Sequence, residues 1–476
     1  MAAVTAILAT LAGVRSSSAQ QSFSVLVNFN DTNGGLPHGG LAQGFDGNLY
    51  GTTLFGGTGT AGTVFRMTPA GALTTLHSFC SQTSCIDGEE PEAQLIAATD
   101  GNLCGTTVQG GANGAGTIFK ISSTGNLNIL YSFCSQANCT DGVQPNAGVI
   151  EASDNNFYGT TYGGGSKNYG TIYRITPKGV LTTLYSFCTE TRCADGIHPY
   201  ASLIQGSDGN FYGTTSQGGA TNYGTIFRIT PSDRFTTLHS FCGQTNCPDG
   251  ARPWSALLQA SDGNFYGTSY AGGANLAGTV FRMTPTGALT TIYSFCAQTN
   301  CTDGTTPVAS MIEATDGNLY GTTLMGGSSA CQFGCGTIFQ LTPSGVLATL
   351  HSFDNTDGYQ PYDALFQATN GAFYGVANGG GTGGSNSGTA FRLDMGLGPF
   401  VQILPSAGKI GAPVRVLGTN LTGATSVTFN GTAAVFKTVS PSLITATVPA
   451  GATTGAVQVV TPGGTLKSNM PFRVVQ

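Results

Sequence analysis

Short segments in which apolar and polar residues alternate occur along most of the chain, and they favour strands over helices. In the unit 92–133, four such segments are predicted as strands: 93–98, 103–108, 117–121 and 127–133. Within the third segment, Thr117-Ile118-Phe119-Lys120-Ile121 alternates with the period of two that places successive side chains on opposite faces. Asp100-Gly101 between the first two segments is a tight-turn signal, as is Gly125 between the last two.

The same unit recurs with a period of 54 residues, marked by variants of Asp-Gly-Asn-Leu-Tyr-Gly-Thr-Thr. Its seven copies begin at Asp46, Asp100, Asp154, Asp208, Asp262, Asp316 and, in degraded form, Asn370. Four antiparallel strands joined by short turns describe a propeller blade. Coils of a parallel β-helix, the alternative repeat, are usually shorter and lack two hairpin turns per unit. The pattern therefore predicts an all-β fold, a seven-bladed β-propeller.

The two ends of the repeat array predict a closed ring. The last unit stops at Leu393 and lacks the final Leu-x-x-Leu-x-Ser-Phe strand, whereas a spare copy, Phe23 to Phe29, precedes the first unit. We expect this N-terminal strand to complete the last blade, formed by residues 361–393, because closure removes two open sheet edges.

Beyond residue 396 the period stops, and short alternating strands lie between Gly/Pro turns at the spacing of a β-sandwich. The predicted organisation is a signal peptide over 1–19, a propeller over 20–396 and an immunoglobulin-like domain over 397–476. Residues 2–14 are apolar, and Ser17-Ser18-Ala19 offers a cleavage site, although the usual basic stretch is missing. We therefore expect a secreted, extracellular or cell-surface protein.

Cysteine spacing agrees with export. Five pairs share one Cys-x4-Cys spacing at one place in the repeat, a sixth pair is placed differently, and Cys104 is left over. The pairs are Cys80/Cys85, Cys134/Cys139, Cys188/Cys193, Cys242/Cys247, Cys296/Cys301 and Cys331/Cys335. Zinc is the rival interpretation, but it normally needs four clustered ligands, whereas each pair stands alone in its repeat. The spacing favours six local disulfides.

Composition and motifs exclude several functions. The net charge of −6 argues against a nucleic-acid partner, and no apolar run after the N-terminus is long enough for a transmembrane segment. We find no nucleotide fingerprint, metalloprotease motif or calcium-loop spacing, so we expect no cofactor and no metal. The Asp-Gly pairs are interpreted as turns, with a bound cation as the alternative at the set that follows the cysteine loops, such as Asp87. The His/Tyr alternation at positions such as His77 and Tyr131 is interpreted as a packing site.

One position diverges although its surroundings repeat. The residue after each in-phase proline is His38, Glu92, Asn146, Tyr200, Trp254, Val308 or Tyr362. In a propeller this position lies near the mouth of the central funnel, on the face that carries the cysteine loops. Aromatic side chains in a concave mouth suit sugars or apolar ligands. Tyr200, Trp254 and Tyr362, with His38 and Glu92 as polar neighbours, are the candidate ligand-binding residues; unconstrained surface positions are the alternative.

Two resemblances support this organisation. Residues 46–69 resemble the GloVer tandem repeat, and the similarity extends over about residues 22–396. That resemblance implies an exported bacterial protein without an established activity. Residues 399–476 resemble an IPT/TIG domain through stretches such as Val414 to Leu421 and Val448 to Gly455, which implies an extracellular spacer or binding module.

The sequence therefore predicts an exported, non-catalytic binding, adhesion or scaffold protein with a glycan or protein ligand in the funnel. A carbohydrate-active enzyme, either a glycoside hydrolase or a lyase, with its site in the same funnel is one alternative. A purely structural envelope spacer is another. The ligand, the anchor and the oligomeric state stay open.

Overall fold

The computed structural model describes residues 21–384 and 386–475, so the predicted leader at 1–19 lies outside the described residues. After strand β1 (Ser22–Asn28), the repeats form seven four-stranded antiparallel sheets. The first sheet contains β2 (Ala42–Gln43), β3 (Leu49–Thr53), β4 (Thr63–Met67) and β5 (Leu73–Ser78), and the second contains β6 (Ile96–Ala97), β7 (Leu103–Thr107), β8 (Thr117–Ile121) and β9 (Leu127–Ser132). The third contains β10 (Ile150–Glu151), β11 (Phe157–Thr161), β12 (Thr171–Ile175) and β13 (Leu181–Ser186), and the fourth contains β14 (Ile204–Gln205), β15 (Phe211–Thr215), β16 (Thr225–Ile229) and β17 (Phe235–Ser240). The fifth contains β18 (Leu258–Gln259), β19 (Phe265–Ser269), β20 (Thr279–Met283) and β21 (Leu289–Ser294), and the sixth contains β22 (Ile312–Glu313), β23 (Leu319–Thr323), β24 (Thr337–Leu341) and β25 (Leu347–Ser352). The seventh contains β26 (Phe366–Gln367), β27 (Phe373–Ala377) and β28 (Thr389–Asp394). The predicted all-β propeller is confirmed.

The innermost strand of each blade is shorter than the sequence predicts. Instead of 93–98, only Ile96 and Ala97 form ladder pairs with the next strand. The residues just before them hydrogen-bond across the blade junction instead. The Ala93 carbonyl accepts from the Thr52 hydroxyl of the preceding blade, and Gln94 Nε2 donates to the Leu41 carbonyl at 2.6 Å. Contacts between blades thus take the place of the sheet ladder near the axis.

The N-terminal strand closes the ring. β1 pairs antiparallel with β28, with Ser22 opposite Asp394 and Asn28 opposite Thr389. The seventh sheet therefore runs in the order β1-β28-β27-β26, and the predicted completion of the last blade by Phe23 to Phe29 is confirmed. A side-chain contact reinforces the same junction, since the Thr369 amide donates to Gln43 Oε1 at 3.0 Å.

An aromatic pair fills every blade junction. The phenylalanine that follows an outer strand packs against the aromatic residue at the centre of the third strand in the next blade, with ring centroids 5.2–5.4 Å apart. The seven pairs are Phe29–Phe65, Phe79–Phe119, Phe133–Tyr173, Phe187–Phe227, Phe241–Phe281, Phe295–Phe339 and Phe353–Phe391. All fourteen rings are buried, so the core is a ring of junctions rather than one central mass.

This packing explains the glycine of the repeated Tyr-Gly-Thr motif. Gly213 lies opposite Phe227 in the ladder, and a β-carbon at Gly213 would lie 2.6 Å from the tip of that ring. Gly51 has the same relation to Phe65, also at 2.6 Å. The constraint is therefore steric, because the aromatic ring occupies the space that a larger residue would need.

Six disulfides stiffen the loops of the upper face, defined here as the face that carries the cysteine loops. They join Cys80–Cys85, Cys134–Cys139, Cys188–Cys193, Cys242–Cys247, Cys296–Cys301 and Cys331–Cys335. Short 3₁₀ helices lie in four of these loops, at Thr83–Cys85, Ala137–Cys139, Thr191–Cys193 and Thr299–Cys301. The pairing agrees with the sequence, and Cys104 is buried and unpaired. Such bridges are typical of an oxidising compartment. Among residues 21–384 and 386–475, no helix is long and apolar enough to cross a bilayer.

The C-terminal region forms a separate β-sandwich. Its strands are β29 (Gln402–Leu404), β30 (Ala407–Lys409), β31 (Pro413–Leu417), β32 (Ser426–Phe429), β33 (Thr432–Ala433), β34 (Phe436–Ser440), β35 (Leu443–Thr447), β36 (Val457–Thr461), β37 (Gly464–Lys467) and β38 (Arg473–Val475). One sheet has the order β29-β31-β35-β34 and the other β33-β32-β36-β37, while β30 pairs with β38 in parallel. Valines, leucines and Phe429 from both sheets form its core.

The sandwich docks on the lower face of the propeller, which carries the Asp-Gly turns. Arg415 donates through Nε to the Thr99 carbonyl at 2.7 Å, and its guanidinium lies 4.7 Å from the centre of the Phe45 ring. Arg473 donates to the Ser207 carbonyl at 2.8 Å. These contacts of the sandwich within the described residues lie on the lower face and involve more than one blade.

We predict that ring closure by β1 determines whether the chain stays monodisperse. A chain that begins at Asn30 lacks β1 and Phe29, so it exposes the outer edge of β28 and opens an aromatic junction. It should aggregate in size-exclusion chromatography and unfold at a clearly lower temperature than a control chain that begins at Gln21. A monodisperse chain from Asn30 with an unchanged unfolding midpoint would contradict the closure.

Candidate functional site

One cavity at the axis of the ring collects the divergent residues that follow the in-phase prolines. Its volume is about 310 Å³. All seven of these residues line it: His38, Glu92, Asn146, Tyr200, Trp254, Val308 and Tyr362. The structure therefore brings the five candidate residues together at one mouth, while their role in binding stays a prediction. We call this space the funnel cavity.

The register of the inner segments explains the cavity wall. Side chains of an extended segment alternate, so the first, third and fifth residues after each proline share one side. Apolar members at the fifth position line the deeper part of the wall: Ile96, Ile150, Ile204, Ile312 and Phe366. Smaller polar residues such as Ser202 and Ser310 occupy the third position. The cavity is therefore apolar at depth and more polar towards its mouth.

The aromatic residues form two groups at the mouth. Tyr200 and Trp254 stack with ring centroids 5.5 Å apart, and Trp254 contacts Tyr270 at 4.6 Å. Tyr162 meets Tyr200 edge-on at 6.4 Å. On the other side of the mouth, the His38 ring of blade one packs against the Tyr362 ring of blade seven, with ring centroids 4.0 Å apart.

Sequence reasoning missed Tyr162 and Tyr270. Each lies directly after the second strand of its blade. The residue at this position also differs among the repeats, and that divergence was the signal that could have identified it: Leu54, Val108, Tyr162, Ser216, Tyr270, Leu324 and Asn378. Their approach to the funnel depends on the fold of the upper-face loops, which the sequence did not reveal.

Burial sets the protonation of Glu92. It raises the pKa of this carboxyl to about 7, neighbouring Glu90 adds to the increase, and a hydrogen bond with Tyr200 offsets part of it. Asn146 Nδ2 lies 3.4 Å from Glu92 Oε2, while Asn146 Oδ1 is buried without a hydrogen-bond partner in the described chain. The mouth therefore holds a carboxyl close to its titration point and an unused acceptor.

His38 and Asp363 are also perturbed by the cavity. Burial lowers the pKa of the His38 imidazole to about 4, partly offset by a hydrogen bond to the Glu92 backbone. Burial raises the pKa of Asp363, whose Oδ2 accepts from the Gly40 amide at 2.6 Å and whose Oδ1 accepts from the Ala364 amide. Asp363, which the sequence analysis did not select, holds the closing junction and lines the cavity.

A second ring of side chains surrounds the mouth. The residue before each in-phase proline has a left-handed backbone, with φ between 52° and 57°: Leu36, Glu90, Gln144, His198, Arg252, Thr306 and Gln360. None of the seven is glycine, although glycine adopts this conformation most readily. The residue types at these positions do not predict this geometry, because a positive φ is a property of the folded backbone.

The histidines and tyrosines that alternate at one position of the repeat have structural partners. His77, His239 and His351 lie within 3.0 Å of the loop carboxylates Asp87, Asp249 and Asp357. The tyrosines that replace them, such as Tyr131, donate to the equivalent aspartates. This agrees with a packing site.

The aspartates of the Asp-Gly turns also accept hydrogen bonds from groups of the protein itself. Asp46 accepts from the Asn48 amide at 3.1 Å, from Asn48 Nδ2 at 2.7 Å and from the Tyr50 hydroxyl at 2.8 Å. These bonds agree with the interpretation of the pairs as turns. A cluster of Cys80, Cys85 and Glu89 has the spacing of metal ligands, but its two thiols are joined as a disulfide.

Solved structures resemble the chain at low sequence identity. A fungal alcohol oxidase of the AA5 family, in complex with copper, superposes with a TM-score of 0.50 and 11% identity, over 96% of this chain and 100% of that one. The extracellular domain assigned to a hybrid two-component system of B. thetaiotaomicron gives a TM-score of 0.49 and 11% identity, with 96% and 60% covered. A gluconolactonase from Xanthomonas campestris gives 0.38 and 14%, with 67% and 91% covered. At 11% identity the first likeness shows the fold alone, and the other two, with TM-scores below 0.5, add nothing to it.

No curated protein matches the chain. Family models, in contrast, match nearly all of it. The IPT/TIG domain matches residues 400–474, which include the strands of the sandwich. The Gloeobacter/Verrucomicrobia repeat matches residues 13–193, 99–333 and 244–435, which together span the seven blades. A repeat propeller with disulfides and an IPT/TIG domain has the organisation of a surface or extracellular module, and the chain belongs to the Gloeobacter/Verrucomicrobia repeat family.

Proposed function

We propose that the protein is an exported glycan-binding module that receives its ligand in the funnel cavity from the upper face. The single observation that carries the proposal is the convergence of Tyr200, Trp254 and Tyr362 on one cavity of about 310 Å³. That volume falls within the usual range of ligand sites, about 300–1,000 Å³.

The chemistry of the mouth suits a sugar better than a purely apolar ligand. A pyranose ring offers an apolar C–H face and an edge of hydroxyl groups. Trp254 and Tyr200 supply aromatic surface for the face. Asn146 Oδ1 is buried without a partner, so it is available to accept a hydrogen bond from a ligand hydroxyl.

Access favours the same end of the ring. The IPT/TIG domain rests on the lower face through Arg415, Ser442 and Arg473, which donate to backbone carbonyls of the Asp-Gly turn regions. A ligand that reaches the funnel from the upper face meets the aromatic residues first. This arrangement supports a module that presents its binding face away from the domain that follows it.

A second candidate function, cleavage of the glycan, is favoured by Glu92. A carboxyl with a pKa of about 7 inside a cavity can hold a proton at neutral pH and deliver it to a leaving oxygen. Asp363 is the other carboxyl among the lining residues, but its two oxygens already accept from the Gly40 and Ala364 amides. Glycoside hydrolases commonly use two carboxyl groups, so this candidate rests on Glu92 alone.

We predict that Trp254→Ala weakens glycan binding about tenfold or more, since one stacked aromatic is worth on the order of 1–3 kcal/mol. A glycan array selects the ligand, and calorimetry measures its dissociation constant for both proteins. Tyr223→Ala is the matched control, because Tyr223 is an exposed aromatic of the upper face that does not line the funnel cavity. An affinity unchanged in the Trp254→Ala, Tyr200→Ala double variant would exclude this site, and the absence of any glycan ligand would favour a structural spacer.

If the protein cleaves its ligand, Glu92→Gln should lower the rate at least a hundredfold while it preserves binding within about threefold, because it removes the proton and keeps the shape. Mass spectrometry of the glycan after incubation detects the products. Glu190→Gln, which changes an exposed carboxylate in a cysteine loop, serves as the control. No product above the enzyme-free level with the wild-type protein would leave binding as the function.

We also predict a stability difference between wild type and Glu92→Gln that depends on pH. The folded state keeps the Glu92 proton up to about pH 7, whereas an unperturbed glutamate has a pKa of 4.5. The contribution of this carboxyl to the free energy of unfolding is therefore fully present below pH 4.5 and is lost as the pH rises through 7. The free energy of unfolding falls by up to about 3 kcal/mol over that range. His38 contributes with the opposite sign but is present in both proteins. Urea unfolding at pH 5 and pH 8 measures the difference, and equal pH slopes would contradict the burial of Glu92.

A further inference from the structure

A second cavity adjoins the funnel cavity on the upper face. It also has a volume of about 310 Å³ and shares three lining residues with the funnel cavity: Asn146, Tyr200 and Trp254. Its remaining wall consists of Gln144, Tyr162, Ser216, Gln217 and Arg252. Because the two spaces share the Trp254 side chain, a ligand that stacks there can continue from one space into the other.

Arg252 gives this second cavity its chemical character. It is the only lysine or arginine among the residues that line either space. Within the described chain its guanidinium makes no ion pair, and no side-chain hydrogen bond is formed with it. A planar guanidinium binds carboxylates through two parallel hydrogen bonds, so a free one in a groove is suited to an acidic ligand.

The backbone holds Arg252 in place at a conformational cost. Its φ is 55°, a region that residues with a β-carbon adopt reluctantly. The Arg252 amide donates to the Tyr223 carbonyl at 2.8 Å, and the Arg252 carbonyl accepts from the Tyr270 amide at 3.1 Å. The equivalent residue of every blade has the same conformation, so the repeat fixes where the Arg252 side chain starts, and its identity is what distinguishes this blade.

The two cavities differ in charge. Glu92 and Asp363 line only the funnel cavity, and Arg252 lines only the second one. An acidic group is therefore favoured in the second cavity, where amides and a guanidinium surround it. A neutral part of the same ligand suits the funnel mouth, where the carboxyls lie.

We propose that the two cavities together bind a linear acidic glycan, with one sugar stacked on Trp254 and the carboxylate of an adjacent uronic acid unit paired with Arg252. This inference rests on the proposed glycan-binding function and specifies its ligand class. The second cavity thereby acts as a carboxylate-selective subsite.

The test uses the full chain and two matched pairs of tetrasaccharides. β-1,4-Mannuronate is compared with mannotetraose, and β-1,4-glucuronate with cellotetraose, since the members of each pair differ only at carbon six. We expect at least one acidic member to bind ten times more tightly than its neutral partner. The acidic affinity should fall as salt is raised from 50 to 500 mM, whereas the neutral affinity should not.

Variants of Arg252 separate charge from structure. Arg252→Gln should weaken acidic binding about tenfold and change neutral binding less than twofold, while Arg252→Lys should recover part of the acidic affinity. Arg192→Gln is the matched control, because Arg192 is an exposed, left-handed arginine of the upper face that lines neither cavity. Its affinities should equal those of the wild type.

The failures are distinguishable. Equal binding of the acidic and neutral members, with a loss in Trp254→Ala, would overturn the carboxylate subsite and keep the glycan function. Binding of neither member would overturn both. Loss of acidic affinity in Arg192→Gln as large as in Arg252→Gln would assign the effect to the general charge of the face and remove the subsite.

Discussion

The aromatic pair at each blade junction is the contact on which the rest of the structure depends. A single four-stranded sheet has two faces and cannot bury both by itself, so each blade is stable only between two neighbours. The pairs from Phe79–Phe119 through Phe353–Phe391 bury one such face at six junctions, and Phe29–Phe65 does so at the seventh. Because Phe29 follows β1, ring closure and core formation are one event: without the N-terminal strand, the last junction loses its phenylalanine and its sheet partner together.

The site is a consequence of that closure. When seven equivalent connections meet around one axis, the residue after each in-phase proline reaches the same mouth, although these residues are 54 positions apart in sequence. Repetition supplies the scaffold, and the divergent residues supply the chemistry. The IPT/TIG domain docks on the lower face through Arg415 and Arg473, so the two faces of the ring are no longer equally accessible.

Departures from the repeat are compensated locally. In the second blade Cys104 replaces the tyrosine that bonds the turn aspartate elsewhere, and Lys120 replaces arginine. Lys120 Nζ reaches Asp100 Oδ2 directly at 2.6 Å, with its ammonium 4.8 Å from the centre of the Phe157 ring. Burial raises the pKa of the Cys104 thiol, which keeps it neutral in the core. The leftover cysteine is thus a core residue, and the ion pair replaces the missing hydroxyl.

The sequence by itself determined the repeat architecture, the closing strand, the disulfide pairs and the ring of residues at the mouth. It could do so because these features depend on local patterns and on their phase. The tertiary structure decided the rest. The short inner strands, the left-handed backbone at Arg252, the approach of Tyr162 and Tyr270, and the burial that raises the pKa of Glu92 all depend on contacts between blades or between loops. Strand patterns record which face of a segment is apolar, but the partner that covers that face, and the charge and shape of the space left at the axis, exist only after the blades have assembled.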